Sequence, residues 1–286
     1  MNPKMIKAMF GTDQLPKIAL SLQDIPREAQ NMVGKMSISG VQPKLSLKLN
    51  NQNTELLPAP SGGEYILKPQ IPHFPHTPEN ENCCMDIAFA LGIDVPPHCL
   101  IPLQDGSLAY VVKRFDRRDK EKIHQEDFYQ ILEKKDKYRG SLEEIGKKLR
   151  EISAVPGLDI QLFFERVVFY FLIGNGDGHF KNYSVSYHAQ NQIRLSPAYD
   201  IVCSKLVLPD EEDSALTVNG KRNKLTPGDF NTLADRLKIP PKIRFEKFAC
   251  KGELIKQHIE ASKLPDNSRR RFLEITRARQ VRRNLL

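Results

Sequence analysis

Gly174-Asn175-Gly176-Asp177-Gly178-His179-Phe180-Lys181-Asn182 is the stretch whose reading decides the fold. Three glycines, which permit unusual backbone angles, surround a carboxylate, Asp177, and a carboxamide, Asn182, with four residues between the two. A turn built from Asp, Gly and Asn is by itself an ordinary loop more often than a site, so its flanks carry the weight. Upstream, the segment ending at Ile173 is apolar on nearly every side and predicts the buried central helix of its domain. Asp159 is placed to cap that helix, Leu158 and Phe163 to staple its start, and Gly174 to stop it. Downstream, Tyr183 to Arg194 predicts a short hairpin. Leu195-Ser196-Pro197-Ala198-Tyr199-Asp200 then returns the chain, which would bring Asp200 beside Asn182.

The Asp-x4-Asn spacing is that of the catalytic loop of kinases, where the Asp accepts a substrate hydroxyl's proton and the Asn holds a metal ion. The chemistry explains the residue types. The base must stay ionised yet accept a proton, and a neutral amide oxygen ligates Mg²⁺ without adding charge beside phosphates. Asp200 supplies a second carboxylate for metal and phosphates. Ile201 and Val202 follow where eukaryotic-type kinases have Phe-Gly, and no Walker sequence is present.

Working toward the N-terminus, the pattern changes to strands. Leu45, Leu47 and Leu49 alternate with Ser46 and Lys48, and a second strand runs from Tyr65 to Lys68 before Pro69. A helix follows, with Thr77 as N-cap, Pro78 in its first turn and Gly92 closing it; Glu81, Cys84, Ala88 and Leu91 share one face, which turns Glu81 inward. An inward carboxylate needs a cation, and Lys68 is the candidate, the pair that orients ATP phosphates in kinases. Taken singly, Lys68 reads as a solvated strand-end lysine and Glu81 as a first-turn acid suited to the helix dipole. Leu108 to Phe115 predicts a further strand. Ser37-Ile38-Ser39-Gly40-Val41-Gln42-Pro43-Lys44 is a glycine-containing turn leading into the first strand, where phosphates are usually covered.

The fold expected is α+β: a small strand-rich N-lobe over residues 1–115 and a mainly helical C-lobe over 116–286, the two-lobed protein-kinase-like arrangement. In the C-lobe, Ser141 and Glu144 form a capping box, and later helices are expected over Asp229 to Leu237, after Pro241, and at an arginine-rich end opened by Ser268.

Composition excludes little. With 286 residues, 40% of them hydrophobic, the chain can bury a substantial core. The longest apolar run is broken by Glu165 and Arg166, so no membrane span is expected, and no signal-peptide pattern opens the chain; a cytoplasmic setting is the expectation. Five cysteines without a CxxC pair predict reduced thiols, and His73 and His76, set among prolines, predict a loop rather than a metal site. The net charge of +8 suits acidic partners of any kind, and its concentration in the final helix reads as a solvated face or as a contact to nucleic acid or a partner.

These motifs together resemble the HipA family of bacterial toxin kinases. The matches are Ser37 to Lys44 (SISGVQPK), Tyr65 to Pro69 (YILKP), Pro78 to Met85, Lys113 to Arg117 (KRFDR), His124 to Asp127 (HQED), Ile173 to Ser184 (IGNGDGHFKNYS) and Leu195 to Asp200 (LSPAYD), in family order. The resemblance implies a protein-serine/threonine kinase of a toxin-antitoxin system, using ATP and Mg²⁺ to phosphorylate an aminoacyl-tRNA synthetase, which inhibits translation and growth and so gives persistence. It implies Asp177 as catalytic base, with His179 bracing the loop and Lys181 touching the γ-phosphate. Asn182 and Asp200 become the metal ligands, Lys68 with Glu81 the phosphate-holding pair, and Val112, Lys113 and Phe115 the adenine-side hinge. Ser39, Gly40, Val41, Gln42 and Lys44 fall on the nucleotide-covering loop, and Ser37 and Ser39 match serines whose autophosphorylation switches such enzymes off.

Long members carry a further N-terminal subdomain before the serine loop, whereas 36 residues precede it here, so the chain resembles the short HipT variety. That implies a separate small protein supplying the missing part, a helix-turn-helix antitoxin as partner, and DNA met only through the antitoxin complex. Two other readings stay open at this point. The Asp177, His179, Asn182 arrangement also resembles that of lipid kinases, which would make the acceptor a lipid or small molecule. A non-catalytic module assisting DNA repression is the third.

Overall fold

In the computed structural model, residues 3–31, 43–118 and 121–282 are described, and they form two compact units. The first comprises residues 1–82 and 96–122 and is built on a sheet. Helices α1 (Pro3–Phe10) and α2 (Asp24–Asn31) precede strands β1 (Leu45–Leu49), β2 (Leu56–Pro58) and β3 (Tyr65–Lys68). Helix α3 (Thr77–Ala90) begins in this unit and continues into the second, and β4 (His98–Pro102) and β5 (Leu108–Lys113) complete a five-stranded antiparallel sheet in the order β2-β1-β3-β5-β4. A two-stranded ribbon, β6 (Arg117–Arg118) with β7 (Glu121–Lys122), closes the unit.

Leu45, Leu47, Tyr65, Leu67, Ala109 and Val111 fill one face of this sheet, where Met9, Phe10 and Ile25 of the first two helices join them. The alternation expected of β1 holds for Leu45 and Leu47, but Ser46 is buried as well. Its backbone carbonyl accepts from Ala59, and Gly63 packs so closely on its side chain that a Cβ there would lie 1.8 Å from Ser46 Oγ. The strand expected to reach Phe115 ends at Lys113.

On α3 the predicted inward face is buried at Glu81, Cys84, Ala88 and Leu91, and Gly92, left-handed at φ +73°, ends the helix by donating to Phe89 O. Thr77 does not cap in the expected way: its hydroxyl donates to Phe74 O at 2.6 Å instead of accepting from the helix. His76 lies in the preceding loop, near Glu79.

The second unit, residues 83–95 and 123–286, is mainly helical. Strand β8 (His124–Asp127) leads into the single turn α4 (Phe128–Ile131), then α5 (Leu142–Ile152) and α6 (Pro156–Ile173). The Ser141–Glu144 capping box is formed in both directions. The hairpin β9 (Ser184–His188) and β10 (Gln192–Leu195) pairs with β8 in a three-stranded sheet, and α7 (Pro227–Arg236), α8 (Gly252–Ala261) and α9 (Asp266–Arg282) follow.

Helix α6 is the buried axis, as its all-round apolarity predicts. Phe163, Phe164, Phe169 and Phe171 are all essentially inaccessible, each contributing about 1.5–3 kcal/mol by burial. Its start differs from expectation. Pro156 occupies the first turn, Val155 is the N-cap, and Asp159 lies inside the helix, fully buried. Instead of capping, Asp159 accepts from Arg194 at 2.9 Å, Ser153 Oγ at 2.6 Å and Leu195 N at 2.9 Å, which fastens β10 to the helix. The basic end is solvated at Arg270, Arg271 and Arg277, as expected, but differs at two points. α9 opens at Asp266 rather than Ser268, and Arg279 is buried, paired with Asp213 at 2.9 Å and bonded to Phe171 O. Among the described residues no helix is long and apolar enough to cross a membrane.

Candidate active site

The loop that follows α6 is held by packing on three sides. Gly174 is left-handed at φ +76° and closes the helix, with its own N–H donating to Phe171 O and Asn175 N to Tyr170 O. The other two glycines are not left-handed, contrary to the expectation that all three supply unusual angles. They are required by closeness: a Cβ on Gly176 would lie 2.5 Å from Glu212 O, and one on Gly178 would lie 2.6 Å from the Tyr170 ring. Gly176 N donates to Ser204 Oγ at 2.8 Å, and Asn175 Oδ1 accepts from Asp177 N at 3.1 Å, so the backbone around the carboxylate is pinned.

Past Asp177 the chain makes a tight turn at Phe180–Asn182. His179 N donates to Asn182 Oδ1 at 3.0 Å, and Asn182 N returns a bond to His179 O. The β9–β10 hairpin then brings the chain back. Ala198 N donates to Asp94 O and the Tyr199 hydroxyl to Lys181 O at 2.8 Å, so Asp200 arrives with Asn182 Nδ2 3.5 Å from its Oδ2. Asp200 is left-handed at φ +59°, a conformation that Asp tolerates better than most residues. The juxtaposition of Asn182 and Asp200 expected from the hairpin is thus formed.

Asp177 is half-buried, and Tyr138, from the loop between α4 and α5, donates its hydroxyl to Oδ1 at 2.9 Å. Burial and the adjacent Asp177 both push the Tyr138 phenol well above its ordinary pKa, so it keeps its proton. His179 is buried beside it, with Nε2 2.9 Å from Lys137 Nζ and Nδ1 without a partner. Burial holds the imidazole below its usual pKa, which favours the neutral form against the pull of Asp177. Lys181 turns away, its ammonium 4.5 Å from the centre of the Tyr129 ring. Below the loop, burial raises the Glu211 carboxyl while Ser204 donates to it, so Asp177 has a second acid for a neighbour.

In the sheet unit, Lys68 Nζ and Glu81 Oε1 are 2.5 Å apart, with side chains 6% and 2% exposed. The predicted pair is formed, and the Lys68 ammonium also lies 5.6 Å from the Tyr110 ring centre. Val112 is buried in β5, paired with Ile66 and His98; Lys113 donates to Ala8 O, and Phe115 is half-buried after the strand. Lys44 is half-buried at the entry to β1. Ser37, Ser39, Gly40, Val41 and Gln42 lie outside the described residues.

The donor set decides which metal suits the second unit. Among the described residues no group of three or more His, Cys, Asp or Glu is arranged to hold an ion. One carboxylate and one carboxamide, Asp200 and Asn182, do fit Mg²⁺, which keeps most of its waters and takes phosphate oxygens as further ligands. Because Asn182 Oδ1 faces the His179 N–H, its second lone pair or a turned amide would serve the ion.

Tyr138, Lys137 and Glu211 escape a reading of the sequence. Each reaches the loop from a separate segment, and no local spacing marks them. Ser204 and Glu211 are seven residues apart and meet through a turn whose path only the packing on Gly176 defines.

Comparison with known proteins bears on the family and the fold. A Sinorhizobium fredii protein named "Putative kinase Y4mE" is 35% identical over 207 residues, covering 68% of this chain and 48% of the relative. A Haemophilus influenzae protein named "Putative kinase" is 33% identical over 202 residues, covering 65% of this chain and 58% of the relative. The chain therefore spans about half the length of the relatives it matches. Among solved structures, HipA from the Shewanella oneidensis HipA, HipB and operator DNA complex superposes with a TM-score of 0.71 at 22% identity, over 87% of this chain and 65% of that one. The Helicobacter pylori proinflammatory kinase CtkA gives 0.58 at 16% identity, over 87% and 91%. Both establish a mixed α+β, kinase-like fold. The HipA-like C-terminal domain model matches residues 36–260, most of the chain, and the chain belongs to that HipA-like family.

Proposed function

We propose that this chain is an ATP-dependent protein-serine/threonine kinase acting as the toxin of a toxin-antitoxin system. The observation that carries the reading is the loop of the second unit, where a half-exposed Asp177 precedes an Asn182 side chain set 3.5 Å from Asp200. In this reading Asp177 accepts the hydroxyl proton of the acceptor, and Asn182 and Asp200 hold Mg²⁺. Lys68, fixed by Glu81, meets the nucleotide phosphates. Residues 1–115 act as the nucleotide-side lobe and 116–286 as the acceptor-side lobe. Magnesium would supply charge neutralisation for the phosphates. His179 braces the loop, and Lys181 has to swing off Tyr129 if it is to touch phosphate.

The S. oneidensis relative's complex with HipB and operator DNA supports a helix-turn-helix antitoxin as partner, with DNA reached through it. The motif resemblance alone suggests an aminoacyl-tRNA synthetase as the target and autophosphorylation at Ser37 or Ser39 as the off-switch, where a dianionic phosphate would be drawn to basic surroundings.

The test is transfer of labelled γ-phosphate to a cell lysate, followed by phosphosite mapping. One dominant labelled protein, modified on serine or threonine and absent with Asp177→Gln, is expected. Label appearing only in small molecules or lipid would overturn the protein-kinase reading. Unmodified Ser37 and Ser39 in active enzyme would remove the off-switch.

A further inference from the structure

Tyr138 donates its hydroxyl to Asp177 Oδ1 at 2.9 Å. Its ring meets the His179 imidazole edge-on at 5.1 Å, and Lys137 Nζ lies 4.7 Å from the ring centre. The backbone beneath is anchored on both sides. Arg222 donates to Tyr138 O, Phe180 N donates to Lys137 O at 3.3 Å, and Gly140, at φ +157°, packs so tightly that a Cβ would lie 2.5 Å from the Phe180 ring. A side chain that is 37% exposed on a fixed backbone can leave by rotating about its own bonds, with no movement of the loop.

The bond that Tyr138 makes is the bond an acceptor hydroxyl must make with a general base: an O–H donated to a carboxylate oxygen within hydrogen-bond reach. We propose that Tyr138 is a place-holder for the acceptor hydroxyl. It keeps water off Asp177 while no protein substrate is bound and yields when a serine or threonine hydroxyl takes its position. The exchange replaces one hydrogen bond to a charged oxygen by another of the same kind, so displacement by a bound substrate costs little, whereas water arriving without other contacts gains nothing. What the phenol suppresses is hydrolysis of ATP. In that reaction a water oxygen bonds to the terminal phosphorus, the bond to the bridging oxygen of ADP breaks, and the water's proton passes to Asp177. This inference rests on the reading of Asp177 as base, and its experiment separates the two.

Tyr138→Phe keeps the ring and removes only the donor. Phosphate release from Mg-ATP without any protein acceptor is measured for parent and variant, together with affinity for a fluorescent ATP analogue and the thermal midpoint. The place-holder role predicts a rise in kcat for hydrolysis of about three- to tenfold, the weight of one solvent-accessible hydrogen bond, with KM for ATP changed less than about twofold. Should Tyr138→Phe be unstable, Arg222→Ala, which frees the backbone under the tyrosine, is expected to raise hydrolysis in the same direction by a smaller factor. Unchanged or lowered hydrolysis in variants that still bind the analogue overturns the place-holder and leaves Asp177 as base. Phosphate found on Tyr138 after incubation with Mg-ATP overturns it too, because the residue would then be an acceptor. A parent protein that binds no analogue fails at the earlier step and takes both readings down together.

Discussion

Two polar clusters of this protein are built on opposite terms. In the sheet unit, Lys68 and Glu81 are almost wholly buried and 2.5 Å apart, each neutralising the other. In the helical unit, Asp177 is half-exposed and bonded to a tyrosine that is itself exposed, His179 keeps an unpartnered Nδ1, and Asp200 is held left-handed. The first cluster is satisfied and gains nothing by moving. The second keeps polar atoms and backbone strain in reserve, as groups do that must exchange partners in the course of a reaction. The difference teaches that fixing a charge and using one place opposite demands on the fold.

The largest effect should come from the cluster proposed to react. Asp177→Asn leaves the shape of the loop intact and removes the proton acceptor. Phosphotransfer measured with labelled ATP is expected to fall by about 10²–10⁴-fold, while the thermal midpoint stays within a degree or two of the parent's because the residue is half-exposed and its loss buries no charge. A variant that kept its activity would break the comparison at its centre, since the exposed cluster would then not be the one that works.

The buried pair should respond the other way. Glu81→Gln removes the carboxylate that lies 2.5 Å from the buried Lys68 ammonium, and the expected cost of breaking this buried pair is about 3–5 kcal/mol of stability, read by chemical denaturation. Replacing both partners by apolar residues, Lys68→Met with Glu81→Leu, is expected to recover most of that stability without recovering phosphotransfer. If the single variant unfolds at the parent's denaturant concentration, the pair is not carrying buried charge and the contrast dissolves.

How much of this was legible in the sequence follows the same division. Lys68 and Glu81 could be read because each lies on a regular element: strand alternation and helix periodicity say which way a side chain points. The capping box at Ser141 and the stop at Gly174 were legible for that reason too. The HipA resemblance rests on contiguous motifs and anticipated the family. Asp159 was misread because capping statistics describe local sequence, and its true partners, Arg194 and Leu195 N, lie some 35 residues away. Tyr138 was invisible for a similar reason, being 39 residues from Asp177 in an irregular loop. The serine loop was read from its motif alone and falls outside the described residues.

The glycines of the loop after α6 give the next test, because their meaning was also misread. Only Gly174 needs a left-handed backbone, and Gly178 is small because the Tyr170 ring lies over it. Gly178→Ala should therefore cost about 1–3 kcal/mol through overpacking, and Tyr170→Leu in the same chain should relieve part of the loss. Strain in the backbone would show no such rescue.

The smallest effect tests whether reserve belongs to the helical unit as a whole or to its loop alone. Asp229, in the first turn of α7, is a carboxylate of the same unit but fully partnered: it accepts from Lys221 and Asn219, and from Thr226 through both backbone and hydroxyl. Burial alone would raise its pKa, but these donors outweigh it and bring the group down to about 2, from an ordinary 3.8. The folded carboxyl therefore holds its proton less readily than the unfolded one. Its contribution is complete above pH 3.8 and is lost as the pH falls from there toward about 2. Asp229→Asn is expected to cost about 0.5–2 kcal/mol at neutral pH, the worth of a helix cap, and to flatten the loss of stability on acidification over that window. A variant whose acid unfolding curve still ran parallel to the parent's would mean that Asp229 is no better satisfied than Asp177, and the reserve would then belong to the unit rather than to the loop.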